Sequence, residues 1–234
     1  MAELEKKKEV KLSEVKEGDF IDLEFTGKDE AGNIFETTSS EAAQNAGIYN
    51  PRAKYGPVLI VAGRKQVLEG LDEELLKSKV GEERAVKVLK SKAFGERDQN
   101  LISLVPLHEF KKHGINPQIG MPVELDGKHA VVRNISSGRV RVDFNHPLAG
   151  EDLTYSFKIL RKIESPEEKV ASAAKEFLNL SGVSKVTNGD ASIDVGEKIV
   201  KDANYFLKKS QMVGFILAHI EQVKKVSVIE TFVK

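Results

Sequence analysis

The sequence predicts an α+β fold of short strands in antiparallel hairpins, joined by a few short helices. Three observations lead there. Apolar residues alternate at Ile21, Leu23 and Phe25, again over 84–89, and over 153–163, the spacing of strands with one buried face. The pairs Asp126-Gly127, Ser137-Gly138 and Asn188-Gly189 suit tight hairpin turns. Apolar residues at helical spacing mark 67–77, the stretch behind Ser165, and 202–222.

Taken in order, 1–11 is a charged, polar lead. The first strand contains Phe20 to Phe25, and Gly27 with Ala31-Gly32-Asn33 lets the chain reverse into 34–37. A short helix is expected over 38–46, with Ser39 or Ser40 as its cap. Asn50-Pro51 and Gly56-Pro57 interrupt the chain before a buried strand at 58–62. After a polar turn, Val67, Leu68, Leu71, Leu75 and Leu76 mark a helix, followed by a strand at 84–89. Between Glu96 and Asn145 lies a small β-rich unit: strands at 101–105, 123–125, 130–135 and 139–144, with a helix at 106–112. The strand at 153–163 then returns to the first sheet. Ser165-Pro166-Glu167-Glu168 opens a helix with a cap, a proline at the first position and acids near the positive end. Its stripe is Val170, Ala173, Ala174, Phe177 and Leu178. Strands at 183–186 and 191–195 flank Asn188-Gly189, a helix carries Phe206, Val213, Phe215 or Ile216, Leu217 and Ile220, and 225–233 ends as a strand. Residues 165–234 read as a separate α+β domain.

Composition narrows the function. Lys plus Arg and Asp plus Glu both number 36, for zero formal charge in 234 residues, so no bulk attraction to nucleic acid or membrane is expected. There is no cysteine, which removes disulfides, thiolate nucleophiles and Cys-held metals. The apolar runs at 58–62 and 213–218 fall far short of the ~20 residues that span a bilayer. Met1 to Val10 is too charged for a signal core, and a soluble, cytoplasmic protein is expected. The histidines are scattered; His108 and His113, five apart, do not share a helix face. No phosphate loop, zinc motif or nucleophile elbow appears. No cofactor and no metal are expected.

One resemblance stands out. Gly18-Asp19, Ile21, Leu23, Phe25-Thr26-Gly27, then Gly32 and Phe35-Glu36-Thr37-Thr38 are similar to the opening of FKBP-type peptidyl-prolyl isomerases. Gly63, Val67-Leu68, Gly70-Leu71-Asp72-Glu73, Leu75, Val80-Gly81-Glu82 and Ala93-Phe94-Gly95 continue the match over about 80 residues. Asn145-His146, Leu148-Ala149-Gly150 and Leu153 resemble the exit of the insert-in-flap domain of SlyD-like and long archaeal members. The resemblance implies a bent antiparallel sheet around a short helix at 1–95 and 146–164, an inserted flap domain at 96–145, and an additional domain at 165–234.

It also implies an apolar cleft lined by Phe25, Phe35, Glu36, Val67, Leu68, Leu71, Phe94 and Tyr155, with Val58 and Ile60 at its flank. Three of these depart from the family's usual residues: Glu36 stands where Asp is common, Leu71 where Trp is common, and Phe94 where a Tyr hydroxyl faces bound ligand. The chemistry suits such a cleft. An X-Pro bond turns over a barrier of ~18–20 kcal/mol because the C–N bond is partly double. The twisted amide is less polar than the planar one, so a dry apolar cleft favours it without proton transfer. A preference of a few kcal/mol gives roughly 10²- to 10³-fold acceleration.

The insert offers Leu101, Leu104, Phe110 and Met121 as substrate-binding surface for unfolded chains. The alternative is that these side chains form the insert's own core. For 165–234 the expectation is homodimerisation through the stripe Phe206, Val213, Leu217 and Ile220 and the terminal strand. The expected protein is an isomerase and folding chaperone acting on unfolded or proline-containing polypeptides; the alternative is a binding-only holdase.

Overall fold

The computed structural model describes residues 13–180, 184–196 and 204–231. The expected polar lead at 1–11, Val183, the helix start at Asp202 and the last residues of the terminal strand lie outside the described residues. The chain divides into two compact units, Met1–Lys87 with Thr154–Lys234, and Val88–Leu153. In chain order the elements are β1 (Phe20–Lys28), β2 (Ile34–Thr37), α1 (Ser40–Asn45), β3 (Val58–Val61), α2 (Glu69–Leu75) and β4 (Glu83–Val88). Then come β5 (Ile102–Pro106), α3 (Leu107–Lys112), β6 (Pro122–Leu125), β7 (Lys128–Ser136), β8 (Arg139–Asp143) and β9 (Leu153–Ile163). The chain continues with α4 (Pro166–Leu178), β10 (Ser184–Thr187), β11 (Asp190–Gly196), α5 (Tyr205–His219) and β12 (Lys225–Glu230). No helix among the described residues is long and apolar enough to cross a membrane.

In the first unit, β2-β1-β9-β4 form a sheet, and β3 also pairs with β1. The N-terminal half of β1 pairs with β3 and its C-terminal half with β2, while β9 runs antiparallel along its whole length. Period-two alternation divides the apolar residues between two faces. Ile21, Leu23, Ile60 and Ile159 are buried on one side.

On the other side Phe20, Leu59, Val61 and Ile163 enter a single core with Val170, Ala173, Ile193, Val195, Met212 and Ile216. Phe215 meets Phe20 edge-on at 5.9 Å and Phe177 at 5.3 Å. The segment behind Ser165 is therefore not a body of its own: α4, α5 and β11 bury their apolar faces against this sheet. Ser165 caps α4 by accepting the Glu168 N–H, Pro166 opens it, and Asn179 closes it in a left-handed conformation. The strands order β10-β11-β12, with β12 parallel to β11. The expected α5 stripe divides: Ile216 and Ile220 point into the core and Val213 packs on it, whereas Phe206 and Leu217 are 73% and 46% exposed.

The second unit orders its strands β5-β8-β7-β6. Its hairpins turn at Asp126-Gly127 and Ser137-Gly138, where both residues of each pair have positive φ, as a two-residue turn matching the strand twist requires. Phe110 packs with Val123, Ala130, Val132, Val140 and Val142.

Candidate active site

Across β2, β1 and β9, residues Glu36, Gly27 and Tyr155 stand in one register row. Register partners share a face of the sheet, so Tyr155 and Glu36 flank a position without a side chain. The phenol O–H of Tyr155 donates across Gly27 to the Glu36 carboxylate. A Cβ at Gly27 would lie 2.8 Å from Phe35 Cζ and 3.1 Å from Glu36 Cγ. This glycine was expected to help reverse the chain; instead it lies inside β1 and is required by close approach. The β1–β2 register slips beside it, pairing Gly27 with Glu36 and Lys28 with Ile34. Phe35 is the extra residue of this bulge, and bulges re-aim side chains.

The result is an aromatic corner. Tyr155 contacts Phe35 edge-on, with centroids 6.0 Å apart, and Phe25 at 6.0 Å with tilted planes. Tyr155 is buried, while Phe25, Phe35 and Glu36 are half-buried. Burial first, then the bond to Glu36, pushes the Tyr155 phenol well above its ordinary range. Thr38 ties the end of β2 to β1: its Oγ1 accepts the Phe25 N–H at 3.0 Å, and its own N–H donates to the Phe25 carbonyl.

A buried carboxylate sets the approach to α2. Asp72 accepts the Gly63 and Lys65 N–H groups, each at 2.8 Å. This fixes a turn whose Gly63 and Lys65 both have positive φ, immediately before the half-buried Val67 and Leu68. Asp72 belongs to the quoted motif, but no role was read for it; an Asp in the first turn of a helix behind a Gly-containing turn was the available signal. Leu71 is buried, Ile60 is buried in β3, and Val58 is half-buried.

Phe94 lies in the second unit, with the ring of His146 stacked on it. In the insert, where a client-binding surface was expected, Leu101 and Leu104 are 44% and 61% exposed. Phe110 corrects that expectation: it is 2% exposed, closed inside the unit's own core, and Met121 packs against the same core. So small a sheet needs its largest apolar side chain inside. A cavity of about 580 Å³ in the first unit is lined by Glu24, Thr26, Ser39, Glu83, Ser156 and Lys158, among others. Of the expected lining residues it takes in only Phe25.

Comparison with known proteins shows the family. Residues 12–108 match the family described as FKBP-type peptidyl-prolyl cis-trans isomerase, and 103–148 match "FKBP26, IF domain". The short-type peptidyl-prolyl cis-trans isomerase of Methanocaldococcus jannaschii is 30% identical over 155 residues, 66% of this chain and 98% of the relative. The FKBP-type isomerase SlyD of Helicobacter pylori is 30% identical over 122 residues, covering 50% and 65% of the two chains. The Escherichia coli FKBP-type 16 kDa isomerase is 32% identical over 128 residues, covering 53% and 80%. With an antiparallel sheet and a β-rich insert between β4 and β9, the chain belongs to the FKBP-type peptidyl-prolyl cis-trans isomerase family, in its SlyD-like form with an insert-in-flap domain.

Proposed function

We propose that this protein catalyses cis-trans isomerisation of X-Pro bonds and assists folding by holding unfolded chains on its insert. The observation that carries the reading is the corner of Phe25, Phe35 and Tyr155, with Glu36 bonded to the Tyr155 hydroxyl. Its aromatic walls suit a proline ring and a twisted, less polar imide. The Glu36–Tyr155 bond orients a polar pair beside them, and no nucleophile or proton relay is required. Val67, Leu68 and Leu71 extend the lining within the first unit, with Val58 and Ile60 at its flank, and the family resemblance adds Phe94. Leu101 and Leu104 on the insert capture clients and raise their local concentration.

The same reading gives 165–234 a role in homodimerisation through the exposed Phe206 and Leu217 of α5, and the protein acts in the cytoplasm. The test is a protease-coupled prolyl-peptide assay beside a refolding assay. Both are run on the full chain and on a variant with 96–145 replaced by a short turn. Peptide turnover is expected in both proteins, and refolding help in the full chain alone. No acceleration by the full chain sinks the isomerase reading; undiminished refolding help from the shortened chain sinks the role of the insert.

A further inference from the structure

Phe25, a wall of the aromatic corner, sits where one edge of β1 changes partner. On that edge β3 pairs with Phe20 to Leu23, and β2 pairs with Thr26 to Lys28. Glu24 and Phe25 fall between the two ladders. On the opposite edge Phe25 is in register with Phe157 of β9. An antiparallel strand turns its N–H and C=O groups to alternate edges, and those of Phe25 meet Thr38, so they point into the gap. A backbone N–H left there without an acceptor would be costly. The gap opens onto the cavity of about 580 Å³, whose lining includes Phe25, Thr38 and Gly56.

Thr38 fills the gap. Its Oγ1 accepts the Phe25 N–H at 3.0 Å, its own N–H donates to the Phe25 carbonyl at 3.0 Å, and its hydroxyl lies 3.3 Å from that same carbonyl. A hydroxyl both accepts and donates, so one side chain stands in for the missing length of strand. The Thr38 carbonyl accepts the Gly56 N–H at 2.7 Å, which ties down the chain two residues before Val58. Thr38 is buried, although its neighbours Thr37 and Ser39 are half-buried and exposed. Two positions before it, Glu36 takes the Tyr155 hydroxyl. The end of β2 thus fixes both aromatic partners of the corner, Tyr155 by its hydroxyl and Phe25 by its main chain.

We propose that Thr38 is a positioning residue for the isomerase cleft: by holding both main-chain groups of Phe25 it sets where the Phe25 ring stands against Tyr155 and the bound proline. This rests on the isomerase reading above, with Phe25 as a wall. Side-chain direction follows the backbone, and a small misplacement at a reacting centre is costly in rate. Thr38→Val keeps the shape and removes the hydroxyl. At a temperature where circular dichroism shows the variant folded, it should lower kcat/KM on a prolyl tetrapeptide by roughly 3- to 10-fold, the worth of one neutral hydrogen bond. Thr38→Ser keeps the hydroxyl and should stay within about twofold of wild type. The NMR signals of the Phe25 ring should move in T38V and hold their wild-type positions in T38S.

T38V with wild-type kcat/KM, whatever its urea midpoint, makes Thr38 structural only and overturns the proposal while the isomerase reading stands. A T38S chain as impaired as T38V overturns it equally. A wild-type chain without turnover overturns the isomerase reading and this inference together. If T38V fails to fold, hydrogen exchange on the full wild-type chain decides. The Phe25 amide should be protected as well as the strand-paired amides of β1, and exchange as fast as that of an exposed loop amide overturns the proposal.

Discussion

Replacing Gly27 with alanine tests the aromatic corner most sharply, because two effects of opposite sign meet there. Alanine in place of a strand glycine stabilises by about 0.4–1 kcal/mol where it fits, by restricting the unfolded chain. Here the new Cβ would stand 2.8 Å from Phe35 Cζ and 3.1 Å from both Glu36 Cγ and Phe35 Cε1. Ordinary contact begins near 3.4 Å, so the ring must retreat by at least 3.4 − 2.8 = 0.6 Å. If neighbours hold it, overpacking costs about 1–3 kcal/mol. If it swings out, the edge-on contact with Tyr155 goes, worth about 0.5–1.5 kcal/mol. The net is a loss of about 0–2 kcal/mol, with lower peptide turnover because an aromatic wall has moved. Urea unfolding by circular dichroism gives the first quantity and a protease-coupled assay the second. A cycle with Phe35→Ala isolates the cause: G27A should be less harmful when the ring is gone, with a coupling of roughly 1 kcal/mol. A G27A protein more stable than wild type, with full turnover and no coupling to position 35, refutes the reasoning.

Tyr155→Phe should destabilise by about 1–3 kcal/mol at neutral pH, since the half-buried Glu36 loses its donor. The phenol is held above its ordinary value in the folded state, so its stabilisation is whole below pH ~10 and is lost as pH rises beyond it, by about 1.4 kcal/mol per unit. Urea midpoints from pH 9 to 11 should therefore fall more steeply for wild type than for Y155F; parallel curves contradict this. Asp72→Ala leaves the Gly63 and Lys65 N–H groups without their acceptor and should cost about 1–3 kcal/mol, read from the urea midpoint; an unchanged midpoint is the contrary result. Leu217→Asp on the exposed face of α5 should shift sedimentation toward monomer with folding intact, and a sedimentation coefficient equal to wild type argues against that face as the contact.

Much of the fold was legible because it follows from local pattern. The hairpins at Asp126-Gly127, Ser137-Gly138 and Asn188-Gly189 form where turn chemistry puts them, and Ser165-Pro166 opens α4 with the expected cap. What alternation could not tell was which partner each face would meet. Phe20 and Ile163 read as strand residues, yet their partners are Ala173 and Met212 in a segment that had looked separate. Likewise the α5 stripe is apolar around more of the helix than one partner covers, so Ile216 and Phe206 cannot be sorted inward and outward by spacing alone. At the site, family-like motifs marked Phe25, Phe35, Glu36 and Tyr155. The slip in register that turns Phe35 over Gly27 is a tertiary effect with no signature in one strand. The His146–Phe94 stack joins residues 52 positions apart (146 − 94) and was invisible for the same reason.

The central claim is that prolyl isomerisation here proceeds by apolar enclosure of a twisted imide, with no proton in flight. Its most direct test is kcat/KM for a prolyl tetrapeptide by NMR exchange spectroscopy, with the full chain in H2O and in D2O. The account predicts clear acceleration that is equal in the two solvents. Acceleration that falls markedly in D2O would point to general acid or base chemistry, and no acceleration in either solvent would remove the activity altogether.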